Sequence, residues 1–273
     1  GLMAQLPSDL NFFTQITMES AEDPEFLDAM RQARIKGALV GIEAVTPEGL
    51  KDVHKDFNLA GEELVERLQT FRKYGVHILG SFIFGLPSDR PDTFEATAEL
   101  AKRSDITFAQ FVTLTPFPGT LDFERWEREQ RDNMISVDGI PVSRHWLIPQ
   151  AKRPKLLTPH PAMSGEEIRQ GTQNVWNNFY SLRASWKRSG ILKAYRNRLA
   201  FVIASKVMLQ AFGNTGLSTD SARASRATRW GGIGFSLLQK MFAAAPMPDL
   251  EVPNNDEFGD SPSPASQSLT AAS

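Results

Sequence analysis

The chain contains no cysteine among its 273 residues, and this absence excludes two kinds of chemistry. Without thiols the chain forms no disulfide bond and offers no thiolate ligand to a metal ion. Its histidines also lack the spacing of a metal site; they are His54, His77, His145 and His160. We therefore expect no metal centre held by this chain alone.

Acidic residues are scarce between residues 180 and 245, where Asp220 stands alone among many Lys and Arg residues. Such a region favours an anionic neighbour. Its most apolar stretch, residues 191–212, is too short and too charged to span a bilayer. This stretch could form a helix packed on the core as a lid, which is the commoner outcome. Alternatively, the helix could lie on an anionic membrane surface and contact it through Arg196, Arg198 and Lys206.

The start of the chain lacks both an initiating Met and the charged-then-apolar pattern of a signal peptide. We therefore expect the C-terminal portion of a longer protein. The expected location is the cytoplasm, with peripheral contact to a membrane.

Four apolar runs, each followed by a helical pattern, predict strands over residues 12–18, 38–45, 76–84 and 108–114. The first intervening helix is predicted to begin at Asp23-Pro24 and to end at Gly37. Repeated strand–helix units of this kind are typical of parallel sheets. The predicted fold class is α/β: a partial parallel barrel of about four βα units, followed by a mainly helical C-terminal region.

Changes in composition divide the chain into four predicted parts. Residues 1–125 form the barrel portion, and residues 126–163 form an extended connecting region without a sustained period. A helical basic region covers residues 164–245 and opens on a Ser164-x-x-Glu167 capping box. Residues 246–273 are rich in Pro, Ser and Asp, which predicts a disordered tail.

Polar side chains stand where the predicted strands end. Glu19 and Glu43 would point into one mouth of a parallel barrel, where two carboxylates could act as acid and base. They could also bind the ammonium and hydroxyl groups of a cofactor, or simply cap the turns that follow. Lys55 could pair with a ligand carboxylate, although an ordinary surface lysine is commoner. Gly85 suits a close approach of backbone to ligand, and equally a tight turn.

The ordered series of motifs resembles the later half of a radical S-adenosylmethionine (SAM) enzyme core. More narrowly, it is similar to the cobalamin-binding branch, which includes methyltransferases acting on lipids and other poorly reactive carbons. The resemblance covers about residues 10–125. Its motifs are ITME at 16–19, GIE at 41–43, Lys55, FIFGLP at 82–87 and TPFPGT at 115–120.

The resemblance implies a SAM site. Glu19 and Glu43 match positions that face the methionine and ribose of SAM, and Lys55 matches a position near its carboxylate. Ile83 matches an apolar contact to adenine, beside which the turn at 115–120 would lie. The implied cofactor-binding residues are Glu19, Glu43, Lys55, Ser81, Ile83, Gly85, Thr115 and Pro116.

Several parts of the family pattern are missing. The Cys-x-x-x-Cys-x-x-Cys loop that holds the [4Fe-4S] cluster is absent, as are the glycine-rich SAM-amine motif and the N-terminal cobalamin domain. By the resemblance, the parent enzyme would use its reduced cluster to split SAM to a deoxyadenosyl radical, and methylcobalamin would deliver the methyl group. We expect this chain alone to be inactive.

The expected partners follow from the same resemblance. They are the missing N-terminal half of the same protein, a small-molecule or lipid substrate and a membrane surface, with no nucleic acid. The nearest group, hopanoid C-3 methylase-like proteins, indicates a polycyclic lipid.

Two other classes of protein stay open at this point. A conventional barrel hydrolase or lyase could use Glu19 and Glu43 as its catalytic pair, with the carboxyl groups about 5 to 9 Å apart in a complete barrel. A non-enzymatic binding module would instead have its mouth filled by its own side chains. A non-catalytic scaffold that kept the half barrel and lost the cluster loop is a further alternative to the parent enzyme.

Overall fold

A computed structural model describes residue 7 and residues 9–55, 60–149, 152–154, 156–157 and 159–212 of the chain. The predictions for residues 213–245 and for the tail at 246–273 lie outside this part. The domain boundaries given above stay predictions.

Four strands form one parallel sheet in chain order. They are β1 (Phe12–Ile16), β2 (Ile35–Glu43), β3 (His77–Phe84) and β4 (Phe108–Thr113). The helices between them are α1 (Pro24–Gln32), α2 (Pro47–Asp52), α3 (Gly61–Lys73) and α4 (Pro91–Arg103). The α/β class and the four strands are thereby confirmed. In the described residues the sheet is open, so its closure into part of a barrel stays a prediction.

The boundary between α1 and β2 differs from the predicted one. Helix α1 ends at Gln32, and Arg34 turns the chain with φ of 58° so that β2 begins at Ile35. Gly37 therefore does not end the helix but lies inside β2. A Cβ atom there would approach Phe13 Cδ2 to 2.9 Å, so close packing between strands explains this glycine.

Strand β1 also ends two residues before the predicted position. Residues Met18–Glu22 form a 3₁₀ helix, and Asp23 then caps α1 by accepting a hydrogen bond from the Phe26 N–H at 2.9 Å. The predicted helix start at Asp23-Pro24 is confirmed.

One face of the sheet is covered by helices and forms the main core. Phe82, Phe84 and Phe111 lie on this face, where Phe82 stacks on Phe111 with ring centroids 5.2 Å apart. Phe94 of α4 packs on Phe84 at 4.7 Å, and Trp176 meets Phe111 edge to face at 5.4 Å. Each such aromatic pair adds about 0.5–1.5 kcal/mol beyond the area it buries. This core fixes the sheet, and so fixes the positions of the residues at the strand ends.

The outer edge of β4 is closed by side chains of helix α6 (Gly165–Phe179) and of the residue after it. The Trp176 indole N–H donates to the Phe111 carbonyl at 2.9 Å. The Tyr180 hydroxyl donates to the Ala109 carbonyl at 2.7 Å and accepts from the Ala109 N–H at 3.0 Å. Backbone groups that would otherwise be free to pair with another strand are therefore satisfied. In the described residues, the outer edge of β1 has no such cover.

The connecting segment has a small core of its own. Helix α5 (Leu121–Glu129) and the short antiparallel pair β5 (Ser136–Val137) and β6 (Ile140–Pro141) surround it. The buried side chains of this core are Phe123, Trp126, Val142, Ile148 and Leu157.

Three helices complete the described chain: α6, α7 (Leu182–Arg188) and α8 (Tyr195–Phe212). The predicted capping box at the start of α6 is confirmed, because the Ser164 N–H donates to Glu167 at 2.7 Å and the Glu167 N–H donates to Ser164 at 3.2 Å.

Helix α8 is docked on the rest of the chain through one face. Phe201 is buried and stacks on Phe108 at 5.3 Å. Two of the three cations expected to face an anionic surface are used internally: Lys206 donates to the Tyr180 carbonyl at 2.7 Å, and the Arg198 guanidinium lies 4.3 Å over the Trp186 ring. These contacts fit the lid interpretation. No helix in the described part of the chain is long and apolar enough to cross a membrane.

Candidate functional site

A β-bulge ends strand β2 at the predicted site. Gly41 pairs with Ser81 of β3, but Glu43 pairs with the very next residue, Phe82, so Ile42 is the extra residue. Glu43 itself has φ of 68°, a left-handed conformation that is costly for a residue with a side chain. Bulges of this kind redirect side chains next to functional sites. Here the bulge brings the Glu43 carboxylate to Lys55.

Glu43 and Lys55 form an ion pair. The Lys55 ammonium lies 2.8 Å from Glu43 Oε1, and the Lys55 N–H donates to the Leu50 carbonyl at 2.8 Å, which holds the loop in place. The Glu43 side chain is 17% exposed and that of Lys55 is 34% exposed. Both charged groups therefore remain reachable from solvent.

Gly41 provides the space for this ion pair. A Cβ atom at position 41 would lie 2.4 Å from Glu43 Oε1 and 3.2 Å from Lys55 Nζ. Any larger residue would push the pair away. Sequence reasoning placed Gly41 in a motif but not among the site residues.

Glu19 lies on the 3₁₀ helix after β1. Hydrogen bonds lower the pKa of the Glu19 carboxyl; the one from the Thr17 hydroxyl has the largest effect, and the one from the Glu19 N–H comes second. The positive charges of Arg67 and Lys55 lower it further. The carboxylate is therefore ionised at neutral pH and lies in the field of the same lysine that pairs with Glu43. Its Oε2 atom is buried and has no hydrogen-bond partner within the described residues. An acceptor of this kind is costly unless a donor reaches it.

Ser81 and Gln110 extend the site across the sheet. Gly41, Ser81 and Gln110 lie side by side in the strand register, and Ser81 Oγ accepts a hydrogen bond from Gln110 Nε2 at 2.9 Å. Gln110 was not among the predicted site residues. Its signal in the sequence was a single amide within an otherwise apolar strand, FAQFV.

Gly85 lies in the buried turn after β3 and not beside the Glu43–Lys55 pair. It is buried with φ of 89°, and its N–H donates to Asp89 Oδ2 at 2.8 Å, as does the N–H of Leu86 at 3.0 Å. Burial raises the pKa of Asp89, although these two N–H groups act against the rise. A Cβ atom at position 85 would meet Leu156 at 3.0 Å, so in this structure Gly85 serves the turn and is covered.

The other predicted site residues lie at the carboxyl ends of the strands, as Glu43 does. Ile83 is half-buried and packs against the small cluster that contains Ala44, Leu50 and Leu86. Thr115 and Pro116 follow β4 and are half-buried; the Thr115 hydroxyl donates to the Thr113 carbonyl at 3.1 Å. The structure thus brings Glu43 and Lys55 into direct contact, with Glu19 near Lys55 and Ser81 beside Gly41.

No cluster of three or more His, Asp or Glu side chains that could hold a metal ion occurs in the described part of the chain. His77 lies at the opposite end of β3, where its ring nitrogen Nδ1 is 3.1 Å from Thr107 Oγ1. Burial, with the charges of Arg72 and Lys36, lowers the pKa of His77 to about 4.

Comparison with known proteins gives relatives but no matching family model. Hopanoid C-2 methylase from Rhodopseudomonas palustris is 33% identical over 140 residues, which are 51% of this chain and 26% of that protein. Bacteriochlorophyllide d C-12(1)-methyltransferase from Chlorobaculum tepidum is 32% identical over 124 residues, 45% of this chain and 26% of that protein. The chain therefore spans only about a quarter of the length of these two relatives.

Among solved structures, the radical SAM methyltransferase TsrM from Kitasatospora setae is similar to this chain. The similarity covers 86% of this chain and 45% of the TsrM chain. The TM-score is 0.42 and the sequence identity 18%.

Proposed function

We propose that this chain is part of a radical SAM methyltransferase and supplies its SAM-binding strand ends. The observation that carries the proposal is the Glu43–Lys55 ion pair, set by a bulge and given room by Gly41. The methyltransferase relatives support both an enzyme and this reaction class.

The residues present fit the polar groups of SAM. SAM carries an ammonium and a carboxylate at its methionine end and hydroxyl groups on its ribose. Glu19 and Glu43 are acceptors for the ammonium and hydroxyl groups, and Lys55 is a donor for the carboxylate. Glu19 Oε2 is buried and accepts no hydrogen bond from the described residues. The ammonium or a hydroxyl group of SAM would supply the missing donor.

The cost of opening the Glu43–Lys55 pair to a ligand is small. Partly exposed ion pairs contribute only about 0–1 kcal/mol, so exchanging each partner for a ligand group of the same charge loses little. The bulge in β2 holds Glu43 in place, and the hydrogen bond from the Lys55 N–H to the Leu50 carbonyl holds the loop of Lys55. Both charges are therefore positioned before a ligand binds.

When bound, SAM supplies the methyl group and, on one-electron reduction, the radical that activates an inert carbon. This chain has no cysteine, so its own residues do not fit a [4Fe-4S] cluster. We assign the cluster ligands and the cobalamin domain to an N-terminal half of the same protein.

The open sheet supports this assignment. Strand β1 has an outer edge without a partner in the described residues, and Phe13 on that strand is 60% exposed. Val112 of β4 is 41% exposed. A further strand from the N-terminal half would pair with the β1 edge and shield Phe13.

The proposed substrate is a polycyclic lipid with an unactivated carbon, by analogy with the hopanoid methylase relative. A barrel hydrolase is less favoured, because the relatives are methyltransferases and the sheet is open in the described residues.

The test uses the complete enzyme that contains this chain, prepared without oxygen and with its cluster assembled. SAM labelled in its methyl group is supplied with a hopanoid-containing lipid extract or, separately, with a chlorophyll-type tetrapyrrole. We expect label in the polycyclic lipid fraction only. Label in the tetrapyrrole alone would overturn the substrate, and label in neither would overturn the methyltransferase proposal.

A further inference from the structure

A basic cleft of about 390 Å³ lies at the opposite end of the molecule from Glu43. Lys102, in the last turn of α4 before β4 begins, forms one wall. The other wall is formed by the end of α6, the turn after it and helix α7. The cationic lining residues are Lys102, Arg183, Lys187 and Arg188. None of the described lining residues is acidic, although Glu99 pairs with Lys102 at 2.5 Å from outside the cleft.

Arg188 is the fixed charge of this cleft. Its side chain is only 8% exposed, its guanidinium lies 3.8 Å over the Phe179 ring, and Nη1 donates to the Phe179 carbonyl at 2.7 Å. The Nε and Nη2 atoms are buried and have no hydrogen-bond partner in the described residues. Burial lowers the pKa of Arg188 to about 10, so it is still charged at neutral pH. A buried cation with unused donors is costly unless an anion compensates it.

Arg183 and Lys187 are the adaptable charges. They lie four residues apart on the exposed face of α7, and neither forms an ion pair with a described residue. Ser181 and Asn178 add neutral polar groups to the lining. The buried guanidinium of Arg188, the two exposed cations and these neutral polar groups surround one space and match the oxygens of a phosphate group.

We propose that this cleft binds a phosphate group, carried either by a soluble phosphate compound or by a phospholipid headgroup. The inference does not depend on the SAM site, which lies at the other end of the strands. Leu182 and Trp186 are exposed beside the cleft on the same helix, at 64% and 37%, and would contact the acyl region if the phosphate belongs to a lipid.

The first arm of the test measures binding of inorganic pyrophosphate to the full 273-residue chain by calorimetry at fixed ionic strength. The double variant Arg183→Ala/Lys187→Ala removes two cleft charges and leaves buried Arg188 in place. Arg131→Ala/Lys73→Ala is the matched control, because both of its residues are exposed and lie outside the cleft. We expect the cleft variant to bind at least about tenfold more weakly and the control to stay within about twofold of the unmodified chain.

The second arm replaces pyrophosphate with vesicles of phosphatidylcholine, with and without phosphatidic acid. Binding only to the acidic vesicles, lost in the cleft variant and competed by pyrophosphate, identifies a lipid headgroup as the source. Pyrophosphate binding without vesicle binding identifies a soluble ligand. The proposal is overturned if neither probe binds, or if the two double variants weaken binding equally, since the attraction would then reflect net charge alone.

Discussion

At the scale of single residues, His77 gives the clearest dependence of stability on pH. Its pKa is about 4 in the folded chain, mainly because burial disfavours the charged ring, and near 6.5 in an unfolded chain. Between these values the unfolded state binds more protons, so stability must fall as the pH falls from 6.5 towards 4.

We therefore predict that the free energy of unfolding drops by about 1–2 kcal/mol more between pH 7.5 and pH 5.0 in the unmodified chain than in His77→Gln. Urea unfolding at the two pH values measures the difference. His54→Asn is the control, since His54 is exposed and Asn tolerates its φ of 55°. Equal pH dependence in the unmodified chain and His77→Gln would contradict the assignment.

The residues of the candidate site were only partly predictable. Glu19, Glu43 and Lys55 could be found because charged residues after apolar strands share one edge of a parallel sheet. Gly41 could not, because its role depends on a bulge that shifts the β2–β3 register by one residue. Gln110 was missed for a similar reason, since its partner Ser81 is 29 positions away in the sequence.

At the scale of secondary structure elements, the link between α6 and β4 is the most informative. One hydroxyl, that of Tyr180, satisfies both the N–H and the carbonyl of Ala109 on an otherwise free strand edge. Its complete burial raises the pKa of Tyr180, so the hydroxyl stays protonated and can donate over the whole physiological range.

Tyr180→Phe should lower the free energy of unfolding by about 1–3 kcal/mol, because two buried backbone groups lose their partner while the ring still fills its space. Denaturant unfolding measures the loss. Tyr74→Phe removes a hydroxyl that makes no hydrogen bond within the described residues, and it should change stability by less than about 0.5 kcal/mol. A similar effect in both variants would show that the link to β4 is not the cause.

The elements themselves were largely predictable, and their ends were not. Apolar runs identified all four strands, and Asp23 and Ser164 marked helix starts through their caps. Gly37 was taken as a helix end because glycine often marks one, whereas here it accommodates Phe13 on the neighbouring strand β1. Only the tertiary contacts distinguish these two uses of glycine.

At the scale of the whole molecule, two polar regions lie at opposite ends of one sheet. The carboxyl end of the strands holds the proposed SAM residues, and the basic cleft lies at the other end. The basic cleft could not be derived from composition, because its lining residues come from α4, α6 and α7, which only the fold brings together.

The central claim is that Glu43 and Lys55 bind SAM, and equilibrium binding of SAM tests it most directly. Calorimetry would compare the complete enzyme with its Glu43→Gln variant and with Glu48→Gln, an exposed glutamate on α2 that serves as the matched control. We predict that Glu43→Gln weakens SAM binding by about 1–3 kcal/mol, the value of a charge-assisted hydrogen bond, and that Glu48→Gln leaves it unchanged. Unchanged SAM affinity in Glu43→Gln would contradict the account.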